Sequence, residues 1–165
     1  MRLDDLDDLA IHAALNDAQR YADANSTCAK VRVGSLILPA TKEGFPKMGA
    51  YGCNHGVNEC TKHGCRRIKL YGEASKEHRL PSDCDAIHSE IDAIAHAAHL
   101  GLDLTGATIF VTRYPCEACA RAIAESGITT VYYGRQESVS EYTMQILDGI
   151  STIHVSEWDR EDNHD

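Results

Sequence analysis

With 165 residues, 43% of them hydrophobic, the chain is long enough to bury one globular core. Its 16 Lys and Arg stand against 25 Asp and Glu, a net charge of −9. A surface so acidic repels a polyanion, which disfavours a nucleic-acid polymer as partner, whereas a free nucleotide needs only a few local cations for its phosphate.

No apolar run approaches the roughly 18 residues that span a membrane. The acidic start, Met1-Arg2-Leu3-Asp4-Asp5, lacks the apolar core of a signal peptide. A cytoplasmic location is expected, in a host's cytoplasm if the chain is viral. In that compartment seven cysteines are metal ligands in part rather than a disulfide framework.

Residues 7–24 are expected as a helix, with Leu6, Leu9, Ala10, Ala13 and the 15–18 run as its apolar stripe. Asp4, Asp5, Asp7 and Asp8 crowd its start, where the helix dipole favours negative charge. Residues 31–38 form a β-branched strand closed by Pro39. After a turn over 41–46, a second strand over 47–53 completes a hairpin. It runs into Gly52-Cys53-Asn54-His55-Gly56, where small residues let backbone approach a ligand.

Residues 56–87 show no clear periodicity and hold Cys60, His63, Cys65, His78 and Cys84. A loop this long is functional or needs tying down. Cys28, Cys60, Cys65 and Cys84 could form a closed structural zinc site, with His63 and His78 as alternative ligands. A helix is expected over 86–100, burying Ile87, Ile91, Ile94, Ala95 and Ala98 and stopped by Gly101. Then come a strand over 107–112, a helix over 116–126 stopped by Gly127, a strand over 129–133, a helix over 139–147 and a strand over 151–155. A frayed polar tail, 156–165, ends the chain.

This order predicts one α/β domain over residues 1–165 with a mixed five-stranded sheet, its last three strands parallel, interrupted by an insertion at 56–87. It brings together two half-motifs, His88-Ser89-Glu90 and Pro115-Cys116-Glu117-Ala118-Cys119. Singly, a Cys-x-x-Cys can be a redox dithiol and a His in an Ala-rich helix mere packing. Paired, one imidazole and two thiolates give three ligands for Zn²⁺ with the fourth position open to water. Zinc so held lowers the pKa of that water to near 7. Glu90, too close in sequence to share a helix face with His88, is placed to move protons rather than to ligate. The cysteines at a helix start gain thiolate character from the dipole.

The pair of half-motifs matches the signature of zinc nucleobase deaminases, and roughly residues 20–155 resemble the deoxycytidylate (dCMP) deaminases, particularly bacteriophage and bacterial forms. The likeness rests on Ser26-Thr27-Cys28 with Val33-Gly34-Ser35-Leu36-Ile37, on the Gly52–Gly56 loop, on His88-Ser89-Glu90-Ile91-Asp92-Ala93-Ile94, and on Val111-Thr112-Arg113-Tyr114-Pro115-Cys116-Glu117-Ala118-Cys119, continued by Ala124-Glu125-Ser126-Gly127-Ile128. It implies a three-layer α/β/α cytidine-deaminase-like fold with helices on both faces of the sheet. It implies that His88, Cys116 and Cys119 hold the catalytic zinc. Glu90 then shuttles protons as water attacks C4 of cytosine, and Asn54 and Tyr114 contact substrate. The products would be dUMP and ammonia. It further implies a structural zinc on the extra cysteines (Cys28, Cys60, Cys84 and with them Cys65), a homohexamer, activation by dCTP with Mg²⁺ and inhibition by dTTP.

Departures from the family pattern are Cys53 and His55 in the loop, Asp92 in place of Asn, and Tyr114 before Pro115. Other readings of the same motifs are a dCTP or dual dCMP/dCTP deaminase, a free-nucleoside deaminase, a tRNA adenosine deaminase, and a zinc-stabilised binding module without catalysis. Glu90 argues against the last, because a structural site needs no carboxylate beside an open metal position. Arg113, Arg121, Arg135 and the Arg66-Arg67-Lys69 cluster are candidates for a phosphate contact.

Overall fold

A computed structural model describes residues 6–42, 46, 48–56, 59–72, 84–136 and 139–158. His78, Lys47, the first five residues, residues 43–45 of the 41–46 turn and the tail from 159 lie outside them.

Helix α1 (Asp8–Asn25) starts where the Asp7 side chain accepts from Ala10 N–H at 2.8 Å, satisfying a donor the helix cannot. It buries Ile11, Ala14, Leu15, Ala18 and Ala22, while Leu9 of the expected stripe is 79% exposed and Ala13 also faces out. The true face is the heptad-like 11/14/15/18/22 series, one step round from the stripe read in the sequence.

The main sheet orders its strands β2–β1–β5–β6–β7. Here β1 is Gly34–Leu38, β2 Ala50–Cys53, β5 Thr108–Arg113, β6 Thr130–Arg135 and β7 Ser151–His154. Strand β1 is antiparallel to β2 and β5, and β5, β6 and β7 run parallel, as the strand–helix alternation predicts. Strand β1 begins at Gly34 rather than at 31, because Val31 O and Val33 N–H bond the Asn54 side chain instead of a neighbouring strand.

Alternation along the strands sorts the core into two layers. Leu36, Leu38, Phe110 and Tyr132 face α1, and Trp158 joins them. Ile37, Ile109, Val111 and Val131 face the other side with Ala93, Ala97, Ala120, Ile123 and Leu147. These last belong to α4 (Ser89–His99), α5 (Glu117–Ser126) and the turn after α6 (Glu141–Ile146). Helices thus cover both faces of the sheet. Two glycines set the spacing. A Cβ at Gly34 would collide with the Ala18 carbonyl of α1, and one at Gly52 with Ser89 O and Ala93 N of α4. Among the described residues no helix is long and apolar enough to cross a membrane.

The expected helix over 86–100 is two elements. Ala86–Ile87 form β4, paired antiparallel with β3 (His55–Gly56), and the helix begins only at Ser89. Ile87 is 41% exposed, and Ala95 and Ala98 point outward; the buried face is Ser89, Glu90, Asp92, Ala93 and Ala97. The insertion contains, besides β4, two short helices, α2 (Cys60–His63) and α3 (Arg66–Tyr71). Residues 156–158, expected as part of a frayed tail, are held in place. Trp158 is buried and donates from Nε1 to Asn16 Oδ1 at 2.9 Å, pinning residues 156–158 to α1.

Candidate active site

Two chain reversals deliver the donor atoms. His88 is the N-cap residue of α4, extended at φ −77° and ψ 154°, held by the short β3–β4 ladder before it. Cys116 is the N-cap residue of α5, and Cys119 lies in that helix's first turn. Both helix starts meet at the C-terminal end of β5. His88 Nδ1 lies 3.4 Å from Cys116 Sγ and 3.5 Å from Cys119 Sγ. The three donor atoms lie within 4.8 Å of one another, and among the described residues no other trio of His, Cys, Asp or Glu does so.

Their electrostatics fit ligation. A hydrogen bond from the Cys119 thiol, then one from His88, brings Cys116 down to about 3, so it is a thiolate at neutral pH. As the donor in that pair Cys119 is raised, with burial adding to the effect. The Cys116 thiolate raises His88, although burial opposes it. Soft sulfur and imidazole donors at this spacing suit Zn²⁺ with one position left for water.

Glu90, 4% exposed, hydrogen-bonds Cys119 and is raised above the ordinary carboxylate range, chiefly by burial. Its Oε2 accepts from Ser89 Oγ at 3.1 Å, and that hydroxyl lies 2.7 Å from Ser35 Oγ on β1. The Ser35–Ser89 pair fixes the carboxylate against the sheet. Neither serine stands out as functional in the sequence, since the link forms across 54 residues of chain.

The trio opens into a cavity of about 820 Å³. Its lining includes His88, Tyr114, Cys116 and Cys119, with Arg67, Arg113 and Arg121 around them. The Tyr114 ring packs edge-on against Tyr133 at 4.8 Å, and its N–H donates to Arg135 O at 2.9 Å. Asn54 is tied into the chain beside the site. Its Oδ1 accepts from Ser26 Oγ (2.7 Å) and Val33 N–H (2.9 Å), and its Nδ2 donates to Val31 O (2.7 Å). It is 9% exposed and does not line the cavity. Its amide is a brace between the loop, α1 and β1.

The family departures explain one another. Asp92 accepts from Cys53 N–H and from His55 Nε2, both at 3.0 Å, with His96 Nε2 at 3.7 Å. An acid at position 92 and an imidazole at 55 form a matched pair that closes the loop onto α4.

In the insertion, Cys60 is raised by burial and by the neighbouring Cys65, Cys28 and Cys84, and its thiol bonds Cys65. A smaller cavity of about 250 Å³ is lined by Cys60, Cys65, Cys84 and His63. Cys28 lies near Cys60 but outside that lining, and no three of the four sulfurs approach one another as closely as the His88 trio.

A layered α/β/α domain with a His/Cys/Cys donor set at two helix starts, backed by a buried carboxylate, has the architecture of a zinc hydrolytic enzyme. Residues 7–135 match the cytidine and deoxycytidylate deaminase zinc-binding region, and the chain belongs to that family. It is 30% identical over 133 residues to the deoxycytidylate deaminase of Mycobacterium phage D29, covering 80% of this chain and 96% of that one. It is 42% identical over 76 residues to the deoxycytidylate deaminase of Enterobacteria phage T2, covering 46% of this chain and 40% of that one. The chain spans about half the length of the first curated relatives it matches. The dCMP deaminase of cyanophage S-TIM5, in a structure with dCMP and dUMP, shares the fold with a TM-score of 0.63. That match is 20% identical and covers 90% of this chain and 98% of that one.

Proposed function

We propose that the chain, read as one catalytic domain, deaminates dCMP to dUMP and ammonia. The carrying observation is the meeting of His88, Cys116 and Cys119 with the buried, serine-held Glu90 beside a cavity large enough for a nucleotide. The phage relative spanned almost entirely by this chain bears the same activity in its name. Zinc on His88, Cys116 and Cys119 would supply the Lewis acidity that makes water nucleophilic at neutral pH. Glu90 accepts the proton that the attacking water gives up and delivers it to N3 of the cytosine. It then carries the second proton to the exocyclic amine, which leaves from C4 as ammonia. Burial holds the Glu90 carboxyl basic enough to accept a proton, and the Ser89 hydroxyl keeps it aimed. Tyr114, in the cavity wall, and Asn54, between β2 and β3, are the substrate contacts of this reading.

Ammonia release measured side by side from dCMP, dCTP, deoxycytidine, cytidine and a tRNA tests this. Turnover preferring dCMP is expected; release from none of the deoxycytidine compounds would refute it. The proposal extends to a second zinc on Cys28, Cys60, Cys65 and Cys84, supported by their convergence around Cys60. Metal analysis giving two zincs per chain supports it and one refutes it. It extends also to a homohexamer activated by dCTP with Mg²⁺ and inhibited by dTTP, on the family resemblance. Sedimentation and rates measured with each nucleotide check both.

A further inference from the structure

Around the cavity the charge balance is inverted. The whole chain carries a net −9, yet three arginines line this one cavity against a single carboxylate, Glu117. Of the candidate phosphate contacts, Arg66 and Lys69 line the smaller cavity instead, and Arg135 lines neither. Arg121 is engaged at the exposed rim: Glu117 lies 4.0 Å away on the next turn of α5, and the guanidinium sits 5.5 Å over the Tyr142 ring.

Arg67 reaches the cavity from a different direction. It rides on α3, inside the insertion, and α3 is tied at its start to the segment that leads into His88. Arg66 pairs with Asp85 at 3.6 Å, and Cys84 borders both cavities. Cys65 is the residue that precedes α3, and its thiol bonds Cys60. Arg67 and His88 line the same cavity. The cysteine cluster therefore adjoins the piece of chain that holds Arg67 in the wall of the cavity into which the trio opens.

We propose that Arg67, presented by the cysteine-bearing insertion, is the specificity-determining residue that reads the nucleotide's phosphate, which makes the insertion part of the active site. This rests on the deaminase reading of the cavity. A guanidinium offers paired N–H donors that match phosphate oxygens, and on an acidic surface a phosphate needs such a local cation.

Arg67→Gln, Arg67→Lys, Arg113→Gln and Arg121→Gln in the full, zinc-loaded chain test it. Two ratios are read: kcat/KM for dCMP over deoxycytidine, and affinity for dUMP over deoxyuridine by calorimetry. Arg67→Gln is expected to lower both about 10- to 100-fold, the change that follows loss of one charge-assisted hydrogen bond, acting on KM more than kcat. Arg67→Lys restores part of the loss, and Arg121→Gln changes the ratios by less than Arg67→Gln does. If Arg67→Gln loses zinc or folds poorly, Arg67→Lys decides, because it keeps the charge and removes only the paired geometry. Unchanged ratios in both Arg67 variants, or a loss confined to Arg113→Gln, overturn the proposal. A wild-type chain that binds dUMP but releases no ammonia refutes the deaminase reading, and the dUMP ratio still decides Arg67. A wild-type chain that neither binds dUMP nor releases ammonia from any deoxycytidine compound overturns both.

Discussion

The His88–Cys116–Cys119 trio and the Cys28–Cys60–Cys65–Cys84 cluster use the same donor chemistry on opposite kinds of scaffold. The trio stands on α4 and α5, helices of 11 and 10 residues packed through Ala93, Ala97, Ala120 and Ile123 onto the sheet. In the cluster, Cys60 starts a helix of 4 residues and Cys65 precedes one of 6, neither of which buries a side chain of its own, while Cys28 and Cys84 lie outside helices and strands. Core packing preorganises the first and brings its donor atoms together. The second has little apolar burial to hold it, and the zinc proposed for it would supply part of the order.

The sharpest test of that contrast removes function without touching the scaffold. Glu90→Gln is isosteric and can still bond Ser89, so zinc content and thermal unfolding should match the wild type. Turnover of dCMP should fall by about 10²–10⁴-fold, the range of a positioned acid–base group. Retained turnover would remove Glu90 from the proton path.

Cys60→Ser asks the reverse question. It should lower zinc by one per chain and destabilise the protein, by about 4 kcal/mol where free zinc exceeds the dissociation constant a thousandfold. Calorimetry in the presence and absence of chelator reads this. A wild-type unfolding temperature insensitive to chelator would mean that the cluster holds itself without metal. Gly52→Ala probes the other scaffold. Its new methyl would strike Ser89 O and Ala93 N, so α4 must move off β2, at a cost of about 1–3 kcal/mol. Because Glu90 rides on the same turn, activity should fall more than Glu90's distance in sequence suggests. Denaturant unfolding at wild-type stability would show that α4 can shift freely.

The same contrast governs what was legible in the sequence. The half-motifs were readable because their chemistry lies within three or four residues, and strand–helix alternation set the order of the last three strands. The support beneath Glu90 was not, because Ser35 and Ser89 meet only when β1 and α4 pack. Alanine misled the α4 face: Ala95 and Ala98 are as apolar as Ala93 and Ala97, and only the close approach at Gly52 tells them apart. Ile87 extended the apolar period into what is a strand residue paired with His55. The bracing by Asn54 was hidden for the same reason as the Ser35–Ser89 contact: its amide replaces strand pairing for residues 31–33, which lie 21 to 23 residues away in the chain.

The seventh cysteine belongs to neither set and marks the smallest effect. Cys53 ends β2, is 3% exposed, and lies beside Asp92. Burial first, and the Asp92 carboxylate second, push its thiol from 9.0 up to about 11. The folded chain thus holds this proton more tightly than the unfolded chain does. The stability it contributes is fully present below about pH 9 and is lost as pH rises through about 11. Other groups also titrate there, so the readout is the difference between wild type and Cys53→Ala in denaturant melts. The variant should be slightly less stable at pH 7, and the gap should close as pH rises toward 11. A gap that stays constant would mean that Cys53 is held neutral in the unfolded chain too, and that Asp92 acts only through the Cys53 N–H and His55.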